Sequence, residues 1–116
     1  CEAGARMDHV VLGHLDRTFT KRSEFIQLAK KIDDVILELD LFGIECSKYH
    51  FNEKVDMPSD GRRLDYIKAL IDAGFENRIV VSHDIYSKHR LISYGGHGYA
   101  HLVRNIKPRM ILKGIK

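Results

Sequence analysis

Short apolar runs alternate along the chain with longer stretches whose apolar positions recur at three- and four-residue steps. His9-Val10-Val11-Leu12-Gly13 is a β-branched run closed by a glycine and reads as a buried strand. Over Thr18 to Lys31, Phe25, Leu28, Ala29 and the following Ile32 fall on one helical face, with Ser23 placed as an N-cap. Val35-Ile36-Leu37-Glu38-Leu39 is the second strand. A polar stretch from Ser47 to Asp56 leads to Pro58, which breaks the chain, and to Ser59, which can cap the next helix. In that helix Leu64, Ile67, Leu70 and Ile71 form the apolar stripe, and Gly74 supplies the stop. Ile79-Val80-Val81-Ser82 is the third strand. Asp84 to Gly98 reads as a long loop rich in Gly and His. Tyr99 to Gly114 is helical by pattern, and Pro108 is expected to kink or split it.

The order strand–helix, three times over, implies parallel strands joined by right-handed crossovers. Both an open doubly wound sheet and a closed eight-stranded barrel use that unit, and periodicity does not choose between them. Side chains alternate faces along a strand. Val10, Leu12 and His14 are therefore expected on one face of the first strand. Ile36, Glu38 and Asp40 share a face of the second, and Val80, Ser82 and Asp84 share one of the third. Each strand ends in a polar or ionisable group where the backbone enters a loop. In a barrel that rim is where active sites are built. An imidazole and a carboxylate converging there, His14 and Asp84, have the chemistry to ligate a divalent metal. A turn histidine and a helix-capping aspartate are the ordinary alternatives.

His83 points away from Asp84 and is expected against a helix, while His9, His50 and His89 are expected in solvent. Glu24, Lys31, Asp65, Lys68, Asp72 and Arg78 read as solvated surface charges. Gly95-Gly96-His97-Gly98 fits neither the P-loop nor the dinucleotide fingerprint, and reads as a flexible loop whose glycines allow positive φ.

Composition narrows the function classes. The 116 residues are 44% hydrophobic and 30% charged, the balance of an ordinary globular domain. A formal charge of +3, scattered among acidic residues, argues against nucleic acid. No apolar run approaches the roughly 18 to 20 residues of a membrane span. Two cysteines, Cys1 and Cys46, make no disulfide framework, so a cytoplasmic setting is expected. The opening residues show neither an initiating Met nor a signal-peptide pattern, and the chain is expected to start inside a longer protein.

Four stretches carry a family resemblance. Val10-Val11-Leu12-Gly13-His14-Leu15-Asp16-Arg17-Thr18 resembles the sixth strand of the phosphotriesterase family of the amidohydrolase superfamily. Leu39-Asp40-Leu41-Phe42-Gly43 is similar to the end of its seventh strand. Met57-Pro58-Ser59-Asp60, continuing through Ala69-Leu70-Ile71-Asp72-Ala73-Gly74-Phe75, resembles the helix leading to strand eight. Ser82-His83-Asp84-Ile85, Lys88-His89-Arg90-Leu91 and Tyr94-Gly95-Gly96-His97-Gly98-Tyr99 resemble the eighth strand and loop of the phosphotriesterase-related branch.

The resemblance implies that residues 1–116 are one partial domain, the last three strand–helix units of a (β/α)₈ TIM barrel. It implies a hydrolase holding two divalent cations, usually zinc, bridged by a hydroxide that attacks an ester, lactone or amide. His14 and Asp84 fall on metal-binding positions, and Asp84 also handles the proton of the attacking water. The other ligands belong to earlier strands, so this stretch alone is expected to be inactive. Lys88, Arg90 and His97, in the loop after Asp84, are placed to meet a small-molecule substrate. No nucleic acid and no membrane is expected as a partner, and a homodimer of the intact protein stays open.

Organophosphate-cleaving members carry an Asp and a His where this sequence has Arg17 and Leu41. That departure disfavours a phosphotriester as the native substrate. The competing readings are a barrel relative that has lost its metals and serves as an interaction fragment, and a doubly wound nucleotide-binding domain. The latter is disfavoured because no glycine fingerprint follows any strand.

Overall fold

The computed structural model describes residues 3–49 and 51–116, so the expectation for His50 lies outside the described residues. Three parallel strands, β1 (Val11–Leu12), β2 (Ile36–Leu39) and β3 (Ile79–Val81), lie side by side in chain order. Register pairs Leu12 with Leu37, Leu37 with Ile79, and Leu39 with Val81. These residues face the helices α2 (Arg22–Lys31) and α3 (Asp60–Asp72). A single-turn helix, α1 (Leu15–Thr18), follows β1, and α4 (Lys107–Leu112) closes the chain. This is an α/β fold with a parallel sheet, as the alternating pattern predicts.

The core lies between sheet and helices. Phe25, Ala29, Leu37, Leu39, Leu64, Leu70 and Ile106 are wholly buried there. Burying a side chain of this size stabilises by roughly 1.5 to 3 kcal/mol. Phe25 stacks on Tyr66 at 4.6 Å, and the Tyr66 hydroxyl donates to the Thr20 carbonyl at 3.0 Å. The opposite sheet face carries Val11, Ile36, Glu38 and Val80, and its Val11 and Val80 are exposed.

This register corrects the expected faces of the first strand. Leu12, not Val11, packs against the helices, so simple alternation would not bring His14 to the open face with Glu38. His14 reaches it because it adopts a left-handed conformation (φ 56°) that breaks the alternation.

Other local expectations are redirected by tertiary contacts. Ser23 does not cap α2. The Glu24 carboxylate instead accepts the N–H groups of Thr20 and Lys21, at 3.0 and 2.9 Å. Ser59 does cap α3, accepting the Arg62 N–H at 3.3 Å, and Gly74 ends it at φ 86°. Arg78 is not a solvated charge. Its guanidinium donates to the carbonyls of Ala29, Ile32 and Val35, tying the end of α2 to the start of β2. Pro108 is accommodated by a π-helical segment, Leu102–Ile106, running into α4. The wider turn absorbs the lost N–H of the proline. No helix among the described residues is long and apolar enough to cross a membrane.

One buried charge joins these parts. Arg63, fully buried on α3, donates through Nε to Asp16 at 2.7 Å and through Nη1 to Asp60 at 2.8 Å. Its Nη2 reaches the Ile44 carbonyl at 2.7 Å. Asp16 also accepts the Leu41 N–H, Asp60 accepts the Gly43 N–H, and His101 Nε2 meets Asp60 at 2.7 Å. The guanidinium thus pins α1, α3, the loop after β2 and, through Asp60, the C-terminal segment.

Replacing Arg63 with Met leaves two buried carboxylates without their cation. Breaking such a buried pair costs about 3–5 kcal/mol. The neighbouring exposed Arg62→Met should stay within about 0.5 kcal/mol of the parent. Denaturant unfolding of both variants checks this, and equal midpoints would remove Arg63 from its central role.

Candidate functional site

The rim at the C-terminal ends of the three strands gathers the titratable groups of the open sheet face. His14 follows β1 after Gly13, where a Cβ would sit 3.1 Å from Glu38 and 3.2 Å from Asp40. A side chain there would push those carboxylates back by a few tenths of an ångström, so glycine allows their close approach to the first strand. Asp40, nearly buried at the end of β2, holds His14 twice. Its carboxylate accepts the His14 backbone N–H at 3.1 Å and lies 2.8 Å from Nδ1. With Nδ1–H donated to Asp40, Nε2 keeps its lone pair, and the ring remains partly open to solvent. The left-handed backbone of His14 is stabilised by the carboxylate that aims its ring.

Glu38 projects from the same face. Burial raises its carboxyl above the ordinary range, and the like charges of Asp40, Asp16 and Asp84 push the same way, against His14. Crowded carboxylates of this kind are relieved by a bound cation.

Asp84 lies past β3, half-buried, also at positive φ (41°). Among the described residues its carboxylate accepts no hydrogen bond. It lines a cleft of about 80 Å³ with Arg17, Leu41, Ile44, Cys46, Tyr86 and Arg90 among its walls. Of Lys88, Arg90 and His97 in the loop after Asp84, Arg90 lines this cleft. The Lys88 ammonium lies over the Tyr94 ring at 5.6 Å, outside the cleft wall. His97 packs behind, against Gly43, where a Cβ would meet its ring at 2.4 Å. His83 points toward the C-terminal segment, its Nε2 3.1 Å from the Tyr99 carbonyl oxygen. His9 and His89 are exposed. Among the described residues no group of three or more His, Cys, Asp or Glu side chains is arranged to hold a metal ion.

The glycine run has a definite task. A Cβ on Gly96 would fall 2.2 Å from the Arg90 carbonyl carbon, and the Gly98 N–H donates to the Arg90 carbonyl at 2.8 Å. The run is a clamp on the Arg90 backbone. Asp40, Glu38 and Arg17 join this rim beyond the site residues expected from the sequence. Strand parity had already grouped Glu38 with Asp40. The signal for Arg17 is weaker, its place two residues beyond Leu15 at the same rim.

A profile of the phosphotriesterase family matches residues 1–116. The N-acetyltaurine hydrolase of Xenopus tropicalis is 50% identical over 98% of this chain and 32% of its own length. The phosphotriesterase-related protein of Drosophila grimshawi is 51% identical over the same shares. Among solved structures, a resiniferatoxin-binding protein from Rhodobacter sphaeroides superposes with a TM-score of 0.87 and 33% identity. That match covers 99% of this chain and 31% of the other. The phosphotriesterase homology protein from Escherichia coli, complexed with phosphate in its active site, gives a TM-score of 0.76 at 27% identity, covering 99% and 35%. The chain therefore spans about a third of the length of the relatives it matches.

Burial lowers the His97 imidazole below its ordinary value, with His101, Arg90 and His83 adding positive charge against the pull of Asp60. Its buried Nε2 has no hydrogen-bond partner among the described residues. The unfolded chain then takes up this proton first, so the contribution of neutral His97 is present above pH about 6.5 and is lost as pH falls toward the folded value. Denaturant melts from pH 7.5 to 5 should show the stability gap between parent and His97→Gln narrowing below pH about 6.5. A gap that stays constant or widens would contradict this.

Proposed function

The chain belongs to the phosphotriesterase family, and from that premise we propose that its protein is a metal-dependent hydrolase of an N-acyl amide. We further propose that these residues form the last three strand–helix units, about strands six to eight, of an eight-stranded β/α barrel. The reading of the bond as an amide is supported by relatives named N-acetyltaurine hydrolase in Xenopus tropicalis, Bos taurus and Dictyostelium discoideum, 45 to 50% identical. The observation that carries the site is the imidazole of His14, fixed by Asp40 with Nε2 unpaired, at the rim that also bears the unpaired Asp84.

The donor set suits a divalent cation. His14 offers a neutral nitrogen backed by a carboxylate, Asp84 offers a free carboxylate, and Glu38 and Asp40 add negative potential. Catalytic zinc normally takes three protein ligands. The remaining donors are proposed to come from outside this stretch, for a pair of cations, zinc by the family resemblance. Such cations would supply an acidified water and a polarised carbonyl.

The residues of this chain do the rest. Asp40 fixes the rotation and the tautomer of His14, so that Nε2 is presented without reorganisation. Asp84, carrying no competing hydrogen bond, accepts the proton of the attacking water at a carboxylate oxygen and can return it to the leaving amine. Leu41 and Ile44 wall the cleft and exclude bulk water from that exchange.

Asp84→Asn tests the assignment in the full-length protein. Asparagine suits the left-handed backbone at this position, so the fold should be kept. Loss of the general base should lower kcat/KM by about 10²- to 10⁴-fold, and metal content should fall. His83→Asn serves as the comparison, since its ring contacts the Tyr99 carbonyl rather than the cleft. It should keep its metals. An active Asp84→Asn beside a metal-free His83→Asn would reverse the assignment.

A further inference from the structure

Arg17 and Arg90 line the same cleft as Asp84, from opposite ends of the chain. Both are half-buried, and among the described residues neither guanidinium is paired with a carboxylate. The cleft's third cation, Lys48, is already engaged by Glu53 at 3.2 Å. A partly desolvated guanidinium with no counter-charge is costly unless a ligand supplies one.

Each arginine is also held in place by an aromatic ring. Arg17 lies over Tyr49 at 4.9 Å, and Arg90 lies over Tyr86 at 4.4 Å with a hydrogen bond to its hydroxyl at 3.0 Å. Stacking fixes the guanidinium plane while leaving N–H edges free to donate. The Gly96 and Gly98 contacts then hold the Arg90 backbone rigidly. Two oriented forks with no carboxylate partner among the described residues, beside the proposed proton acceptor, form a receptor for a small oxyanion.

We propose that Arg17 and Arg90 form the subsite for the anionic end of the substrate, a sulfonate carried on the amine side of the scissile amide. This deepens the hydrolase reading and rests on it. With the acyl carbonyl beside Asp84, a short two-carbon amine would carry its sulfonate to the arginines. The pair then sets specificity, selecting acyl amides by the charge on the departing amine rather than by the acyl group.

The test uses the full-length, metal-loaded protein with N-acetyltaurine and its uncharged methyl sulfone analogue, and titrates taurine by calorimetry as a readout independent of turnover. The parent should prefer the sulfonate in kcat/KM. Arg17→Gln and Arg90→Gln should each raise KM for N-acetyltaurine by about 10- to 100-fold with kcat changed only a few-fold, and should abolish the preference for charge. Taurine binding should weaken in parallel, whereas Lys30→Gln on the outer face of α2 should match the parent. Arg17→Lys and Arg90→Lys, which keep the charge but lose the fork, should give intermediate KM values and provide the reading if a glutamine variant melts early. If N-acetyltaurine is cleaved and the arginine variants keep the parental KM and preference, the subsite is overturned while the hydrolase reading stands. If no N-acyl amide is cleaved but taurine binds in an arginine-dependent way, the hydrolase reading falls and the anion site stands. Absence of both turnover and arginine-dependent binding overturns both.

Discussion

Arg63 sits with no solvent exposure between the carboxylates of Asp16 and Asp60, and the geometry of the rim hangs on that arrangement. Removing three charges from water is expensive, and is tolerated only when they satisfy one another. Here they also satisfy the backbone. Leu41 and Gly43 donate to the two carboxylates, and the Ile44 carbonyl accepts from the guanidinium. Four consecutive residues, Leu41 to Ile44, are thereby fixed, with Phe42 donating its N–H to the Ser82 carbonyl just past β3. Burial raises the Asp16 carboxyl against the pull of Arg63. For Asp60 burial acts the same way, but hydrogen bonds from Gly43, His101 and Arg63 outweigh it and hold the carboxyl low. The two carboxylates are unequal partners in one network.

What the network positions is Asp40, the residue immediately before that fixed loop. Asp40 in turn holds the left-handed backbone and ring of His14. The chain of cause thus runs from a buried guanidinium on α3, through a loop, to an imidazole on the neighbouring strand end. A left-handed non-glycine residue is uncommon, and both His14 and Asp84 adopt that state at the rim. In each case the strand's alternation is broken and a side chain of the candidate site is turned toward the open face. Structural order is spent where orientation matters.

The other half of the rim is built by close backbone approach. Gly96 lies against Arg90, and Gly43 lies against His97, in gaps where a methyl group would collide. By its local pattern the glycine run reads as a flexible loop. Its positive-φ residues were foreseen correctly, since Gly95 and Gly98 adopt φ of 84° and 73°. Its packing role was not, because the surface it packs against comes from a separate turn, and no local pattern records such a meeting.

The alternation of β-branched runs with amphipathic stretches determined the elements, their order and the parallel sheet, because periodicity is a local property of the chain. The Ser59 cap and the Gly74 stop are equally local, and the motifs around His14 and Asp84 identified the family. Tertiary structure alone decided which face of β1 turns inward. That depends on register with β2, and a shift of one residue exchanges every side chain between faces. It also decided which charges are solvated. Arg78 reads like any surface arginine until three carbonyls, from α2 and the connection to β2, surround it. Arg63 occupies a position on the apolar stripe of α3, four residues before Ile67, where its charge conflicts with the pattern. Only the convergence of Asp16 and Asp60, from 47 residues away and from three, turns that conflict into a structural centre. A buried charge needs partners brought by the fold, and the distance in sequence between Arg63 and Asp16 hides that pairing from any local reading.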